Sequence, residues 1–345
     1  MSEAPIDRRS AVRAPVPGTP RVAVIVPAYG VAHLLAEALS SLQAQSFAAW
    51  ECVLIDDGAP DDVAGAVAPF LADPRFRFIA TANQGVSAAH NRAIAESSAP
   101  LVALLDGDDL FRPDYLATMV PLLEGDPAIR LATCNARIFG AVASERPCFE
   151  DKQGSGDGQR GSLADVLDRS FGVYIGSIFR RDDFNTAGGF DTTMAQSEDL
   201  DLWVRLMQLG GDAFYVDAVL ADYRVRAGSA SAHAGRMLLG NIKVYEKARA
   251  ALPLGRPEHA VVDRMIRECR AALDFEHAID LVIDGHTARG LAGLRTVRDR
   301  FNGPVWTIAF LLWQMFPALA RPMLRWRRRA HSRGLQRGLL TGSQS

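Results

Sequence analysis

Four short apolar runs, each closed by a polar cluster, constrain this chain more than any other feature. They are VAVIVP at Val22–Pro27, CVLIDD at Cys52–Asp57, FRFIA at Phe76–Ala80 and LVALLD at Leu101–Asp106. The segments between them have helical spacing. Leu34, Leu35, Ala38, Leu39 and Leu42 recur at three and four residues, 61–72 and 85–97 continue the pattern, and a further helix starts near Pro113. Unbroken β-branched runs suit strands buried on both faces. Proline in a first helical turn loses no hydrogen bond. Four strand–helix alternations predict an α/β fold with a Rossmann-like, mostly parallel sheet and flanking helices.

The regularity ends near residue 139. Residues 150–161, EDKQGSGDGQRG, read as a loop, Ile175–Arg180 as a strand and Asp199–Leu209 as a helix. Phe214–Val216 and Val219–Tyr223 read as short strands, and 235–300 as helical throughout. A chain of 345 residues with 48 % hydrophobic and 23 % charged side chains can build a full core and is not a disordered polymer. Residues 1–20 are polar with four prolines and read as a disordered arm. Cys52, Cys134, Cys148 and Cys269 show no CxxC spacing, which argues against zinc and disulfide frameworks and fits a reducing, cytoplasmic compartment. The N-terminus has no apolar stretch of a secretory signal. A net charge of −2 argues against a nucleic-acid partner.

The polar clusters carry the chemistry. Pro27-Ala28-Tyr29, Asp56-Asp57-Gly58, Asn83-Gln84-Gly85 and Asp106-Gly107-Asp108-Asp109 all stand at predicted carboxyl ends of strands. In open α/β sheets ligands bind there, so four clusters outline one site. Asp56 and Asp57 can accept hydrogen bonds from a base or a ribose. Three carboxylates within 106–109 repel one another unless a cation joins them, and hard oxygen ligands favour Mg²⁺ or Mn²⁺ shared with substrate phosphates. A lone DxD is more often a solvated acidic turn; its place in this series favours the site. Glu198-Asp199 lies at a helix start, where acids suit the dipole, and an ionised Asp199 can also act as a base. The first loop, PAYGVAH, has no GxGxxG, and no GxxxxGK[ST] occurs anywhere, so dehydrogenase and P-loop readings fail.

The string VAVIVPAYG…VLIDDGAPDD…NQGVSAAHN…LLDGDD…GGFD…SEDLDLWVRL, over residues 21 to about 231, resembles the family 2 inverting glycosyltransferases with the GT-A fold, of the bacterial polysaccharide and cell-envelope type. The resemblance implies a domain at 21–231, followed by a helical region at 232–300 and a tail at 301–345. It implies transfer of a sugar from a nucleotide diphosphate donor, UDP-linked by preference, to an acceptor hydroxyl of a saccharide or lipid-linked molecule. It places Pro27 and Tyr29 at the nucleoside, Asp57 with Asp56 at the base, and Asn83 and Gly85 in the donor loop. Asp106, Asp108 and Asp109 fall on the metal-binding region, with Asp109 as the direct ligand and Asp108 near the ribose or donor sugar. Asp199 falls on the general base. His90 stands where the family often has Arg, and Arg226 where it often has His; each is expected at the diphosphate, since Arg cannot ligate a metal but pairs with phosphate.

The alternatives are a nucleotidyltransferase, which PAYGVAH disfavours for want of glycines and a cation, and a non-catalytic sugar-binding protein, which the intact Asp109 and Asp199 disfavour. The tail is separate. Residues 300–345 hold eight Arg and no Asp or Glu, which leaves the first 299 residues at −10 against −2 for the whole chain. The apolar stretch Val305–Ala320 is too broken to span a bilayer. With Trp306, Trp313 and Trp326 and the adjoining arginines it predicts a helix in a membrane interface, its Trp-rich face inserted. That implies peripheral attachment on the cytoplasmic face of the inner membrane. The competing expectation is a helix docked on the protein.

Overall fold

A computed structural model describes residues 18–149, 159–174, 176–226, 234–297 and 304–334. Most of the expected N-terminal arm, most of the 150–161 loop, Ile175, the 227–233 segment with His233, and the chain end after 334 lie outside the described residues. Two compact units interleave along the chain. The first comprises 1–137, 173–193 and 209–223; the second comprises 138–172, 194–208 and 224–345.

The first unit begins with β1 (Val22–Ala28), α1 (Ala32–Gln43), β2 (Trp50–Asp57), α2 (Val63–Val67), β3 (Phe76–Thr81), α3 (Val86–Glu96) and β4 (Leu101–Leu104). The apolar runs make the strands because every position from Val22 to Val26 is buried, so neither face can be polar. Helix α1 covers the sheet with Leu35, Ala38, Leu39 and Leu42, the stripe read from sequence. Then follow β5 (Leu110–Phe111), α4 (Tyr115–Gly125) and β6 (Ile129–Gly140), the last crossing into the second unit after Arg137. In β6, buried Thr133 and Asn135 interrupt the apolar pattern.

The second unit contributes the two-residue strands β7 (Arg146–Pro147) and β8 (Arg160–Gly161) and helix α5 (Leu163–Asp168). The first unit resumes with β9 (Ile178–Arg180) and α6 (Arg181–Thr186). Helix α7 (Glu198–Gln208) belongs to the second unit, and β10 (Asp212–Val225) to the first as far as Tyr223. The two short strands expected over 214–223 are one continuous strand.

The sheet runs in the order β3-β2-β1-β4-β9-β6-β10-β5. Strands β3, β2, β1 and β4 pair in parallel, as expected from the crossover helices. Beyond β4 the pairings of β9 with β4 and β6, and of β10 with β5, are antiparallel.

The rest of the second unit is helical: α8 (Ala234–Ala251), α9 (Glu258–Ile283), α10 (Thr287–Thr296), α11 (Pro304–Met315) and α12 (Ala320–Gly334). Phe275, Ile279 and Val282 of α9, Leu291 and Leu294 of α10, Phe310 and Trp313 of α11, and Leu324 of α12 form one apolar cluster. The Trp-rich face expected to insert into lipid is therefore largely inside the protein. Trp313 is buried, Trp306 meets Phe275 edge-on at 5.1 Å, and only Trp326 of the three is exposed. All four cysteines are free and buried, two in each unit.

Candidate functional site

Strand order locates the site before any side chain does. The chain runs outward from β1 to β2 to β3, then returns to place β4 on the other side of β1. That reversal is a topological switch point, where the carboxyl ends of neighbouring strands diverge and leave a crevice. The register shows the divergence: β1 stays paired with β2 as far as Ala28–Asp56, but with β4 only as far as Ile25–Leu104. Pro27, which has no N–H to donate, falls where β4 has already turned away, so a proline there leaves no ladder bond unmade.

The loops after the four parallel strands are tied to one another. Gly107 sits against β1: a side chain there would meet the Pro27 carbonyl at 3.1 Å and Val31 at 3.0 Å. In the 106–109 turn the Asp109 amide donates to the Asp106 carbonyl at 3.0 Å. Asp106 and Asp108 are partly exposed, whereas Asp109 is 1 % exposed and its Oδ2 accepts from the Tyr174 hydroxyl at 2.8 Å. A buried carboxylate needs such a partner.

After β2 the two acids divide the work. Asp57 is buried and accepts the Gln84 and Gly85 amides, both at 2.9 Å. Asp56 is the more exposed of the pair and accepts the Ala59 amide at 2.8 Å. Asp57 thus fixes the loop after β3 onto β2. Gly58, at φ +65°, completes the closure, because a Cβ there would lie 2.7 Å from the Asn83 amide nitrogen. Tyr29 is 54 % exposed beside this rim, and Asn83 and Gly85 are exposed.

The structure therefore brings together Pro27, Tyr29, Asp56, Asp57, Asn83, Gly85, Asp106, Asp108 and Asp109 in the first unit. His90 has a different setting. It lies on the buried face of α3, 1 % exposed, with its ring stacked on Phe190 at 4.6 Å. Burial pushes its pKa down to about 4, the Val86 backbone opposing the shift. A neutral packed ring does not serve the diphosphate contact expected of it.

Asp199 and Arg226 belong to the second unit. Glu198 and Asp199 open α7. Burial, then the neighbouring Asp199 charge, raises the Glu198 pKa to about 7. Burial also raises that of Asp199, opposed by the Leu200 amide, which donates to it at 2.7 Å, and by the Arg169 charge. The pair titrates as a unit. Its backbone is held from α8. Ser197 adopts φ +59°, a region L-residues avoid, and its hydroxyl donates to Asn241 at 2.8 Å. Gly240 lets the segment approach, since a Cβ there would lie 2.8 Å from both the Gln196 carbonyl and the Ser197 hydroxyl. One turn on, Asp201 pairs with Arg205 at 2.7 Å and Lys247 at 2.5 Å.

Sequence reasoning missed four of these supports: Tyr174, Asn241, Gly240 and Asp61. The Asp61 carboxylate accepts the Gly30 and Ala32 amides at 3.0 and 2.6 Å and shapes the turn after β1. Asp61 carried a signal, as the third acid in a run beginning at Asp56. The others act across sequence separations that no local pattern marks.

The acidic turn bears on metal binding. Among the described residues no three His, Cys, Asp or Glu side chains gather closely enough to cage an ion. The residues fit a different mode, in which one or two carboxylates hold a hard cation that completes its shell with water and phosphate.

Comparisons with known proteins agree with this geometry. Residues 23–188 match the family model described as glycosyl transferase family 2. The chain is 30 % identical over 287 residues to the succinoglycan biosynthesis protein ExoU of Rhizobium meliloti, covering 75 % of this chain and 78 % of that protein. It is 32 % identical over 220 residues to an uncharacterized protein of Sinorhizobium fredii, covering 62 % of this chain but only 23 % of that one. Among solved structures, TarS residues 1–349 from S. aureus in complex with UDP-GlcNAc superposes with a TM-score of 0.62 at 16 % identity, covering 92 % of this chain and 89 % of that one. The mannosyltransferase PcManGT from Pyrobaculum calidifontis, in complex with GDP-Man and Mn²⁺, gives 0.59 at 19 % identity, covering 96 % and 89 %. These two share the GT-A fold with it. From the matched family model and the extended similarity to ExoU it follows that the chain belongs to glycosyl transferase family 2.

Proposed function

We propose that the protein transfers a sugar, with inversion, from a nucleotide diphosphate donor to an acceptor hydroxyl during synthesis of a cell-surface polysaccharide or glycolipid. The observation that carries the reading is the convergence of Pro27, Asp56, the 83–85 loop and Asp106–Asp109 on one crevice at the switch point of the parallel sheet. The named relatives support it: ExoU by its role in succinoglycan synthesis, and TarS and PcManGT by their nucleotide-sugar complexes. The family domain is proposed to run over 21–231, with the helical region and tail appended.

In this reading Asp57, which the resemblance sets at the base, instead holds the loop on which Asn83 and Gly85 meet the donor, since its two oxygens accept the Gln84 and Gly85 amides, and its more exposed neighbour Asp56 takes the ring N–H of a pyrimidine. Pro27 and Tyr29 line the nucleoside. Asp109, oriented by Tyr174, and Asp108, with Asp106 alongside, would hold Mg²⁺ or Mn²⁺. When bound, such a cation neutralises the charge growing on the departing diphosphate. Asp199 takes the proton of the acceptor hydroxyl as it attacks the anomeric carbon opposite the leaving group, so one carboxylate suffices as base. Arg226 is proposed for the diphosphate. The acceptor is a saccharide or lipid-linked molecule, and the enzyme works peripherally on the cytoplasmic face of the inner membrane.

A donor screen for release of nucleoside diphosphate tests this reading. We expect release from uridine or thymidine donors in preference to guanosine donors, its loss in EDTA, and its loss in Asp109→Ala. The anomeric configuration of the product, read by NMR, should be inverted. Full activity in EDTA removes the metal role, and release from none of the donors removes the reading itself.

A further inference from the structure

Helices α11 and α12 are two-sided. One side enters the core of the second unit through Ala309, Phe310, Trp313, Ala320 and Leu324. The opposite side bears Ile308, Leu311 and Met315 on α11, Phe316 and Leu319 at the joint, and Met323 and Trp326 on α12. Their exposures run from 37 % at Met323 to 72 % at Trp326. Intervals of three and four place Ile308, Leu311 and Met315 on one side of α11, an interval of three does the same for Met323 and Trp326 on α12, and Phe316 and Leu319 lie at the joint between them. Eleven large hydrophobic side chains are exposed among the described residues, and seven of them lie in this stretch. Scattered exposed apolar side chains need no explanation, but a continuous row does.

Charge indicates what covers the row. No Asp or Glu occurs from residue 300 onward. Two of the arginines on α12 are spent inside the protein: Arg327 lies over Trp306 and Phe275 and near Glu276, and Arg328 pairs with Asp280 and Glu276. Arg321 and Arg325 instead donate to the Ile283 carbonyl, at 2.9 and 3.2 Å, a contact that does not neutralise them. A second copy seated on the same row would bring the same arginines together, which is unfavourable in a desolvated interface. Lipid phosphates beside an acyl surface complement both features. Spanning is excluded for the described helices, because none is long and apolar enough to cross a bilayer.

We infer that the row Ile308–Trp326 seats the protein on an anionic lipid surface, lying in the interface with Arg321 and Arg325 at the phosphates. This gives the proposed peripheral contact a surface, and one different from the Trp-rich face read from sequence. It can be measured without any sugar transfer, so its failure leaves the transfer reading standing.

The experiment uses the full chain and vesicles of phosphatidylcholine with or without phosphatidylglycerol. The wild type should sediment with the anionic vesicles, weakened but not released by high salt. A variant carrying Leu311→Glu, Met315→Glu and Trp326→Glu should bind about tenfold more weakly or worse. As all three positions are exposed, its melting curve should match the wild type. A second readout spares the fold altogether: brominated lipid should quench tryptophan emission in the wild type and much less in Trp326→Phe, since Trp50, Trp203 and Trp313 are buried and the half-buried Trp306 is packed between Phe275 and Arg327. A wild type that stays in the supernatant, or a triple variant that binds equally, overturns the inference. So does a wild-type dimer that the triple variant dissolves without any vesicle binding, because a second copy then covers the row.

Discussion

At the scale of single residues, the carboxylate pair at the start of α7 makes the sharpest claims. Asn in place of Asp199 keeps the shape and removes proton acceptance, so Asp199→Asn should lower kcat by roughly 10²–10⁴ while donor affinity, measured by calorimetry, stays near the wild type. Collapse of donor affinity with surviving turnover would assign Asp199 to donor binding. Glu198, raised to about 7 by burial and then by Asp199, holds its proton more tightly in the folded than in the unfolded chain. The stability this contributes is complete below the ordinary carboxylate pKa and is lost as pH climbs toward 7. Glu198→Gln should therefore stabilise the protein at pH 8, by roughly 1–3 kcal/mol, and leave it unchanged at pH 4. Matched urea titrations at the two pH values measure this, and an equal effect at both would refute it. With Asp199 as the proposed base, catalysis should rise with pH as that carboxyl, held above the usual carboxylate range by burial, loses its proton. His90 shows how a residue can mislead in sequence. A motif position suggests a ligand, but Ser87, His90 and Ile94, spaced by three and four, form the buried face of α3. That spacing was available and outweighs the motif.

At the scale of elements, the parallel half of the sheet was legible and the antiparallel half only in part, since the strand read at Ile175–Arg180 holds β9 and those read over 214–223 lie in β10. Strands β1 and β4 are apolar throughout, and β2 is apolar from Cys52 to Ile55, because both faces are covered there, and such runs stand out in any sequence. Strand β6 escaped notice because Thr133 and Asn135 sit buried inside it; the Thr133 hydroxyl accepts the Tyr174 amide at 3.2 Å, a partner no local pattern reveals. Strand β10 read as two pieces because Asp217 and Ala218 are exposed and break the pattern without breaking the backbone. Of the site, the acids were legible and their supports were not: the Tyr174–Asp109 bond spans 65 residues and the Ser197–Asn241 bond 44. The support from α8 is testable. Gly240→Ala would press on the Ser197 turn, whose left-handed backbone already costs of order 1–3 kcal/mol. It should lower kcat with little change in donor KM, and Asn241→Ala should act in the same direction. A rise in donor KM at constant kcat would show that α8 supports donor binding instead.

At the scale of the molecule, the chain passes between its two compact units five times. The proposed boundary at 231 thus follows motifs, whereas residues on both sides of it share the second unit. An acidic body and a basic end give the molecule a charge axis along its sequence, visible in composition before any fold is known. The placement of the cysteines has a further use. Burial holds the thiols of Cys52 and Cys269 above the usual thiol range, the latter at about 11, and a thiol reagent can reach a buried sulfur only when the surrounding structure opens. Cys52 and Cys134 belong to the first unit, Cys148 and Cys269 to the second. Each unit therefore carries its own pair of built-in clocks. In a pulsed alkylation read by peptide mass, UDP should slow labelling of Cys52 and Cys134 most, because a ligand held chiefly by the first unit disfavours its opening. Cys148 and Cys269, whose unit contributes only Arg226 to the proposed nucleotide contacts, should be slowed less, and equal slowing at all four would show that the two units open as one.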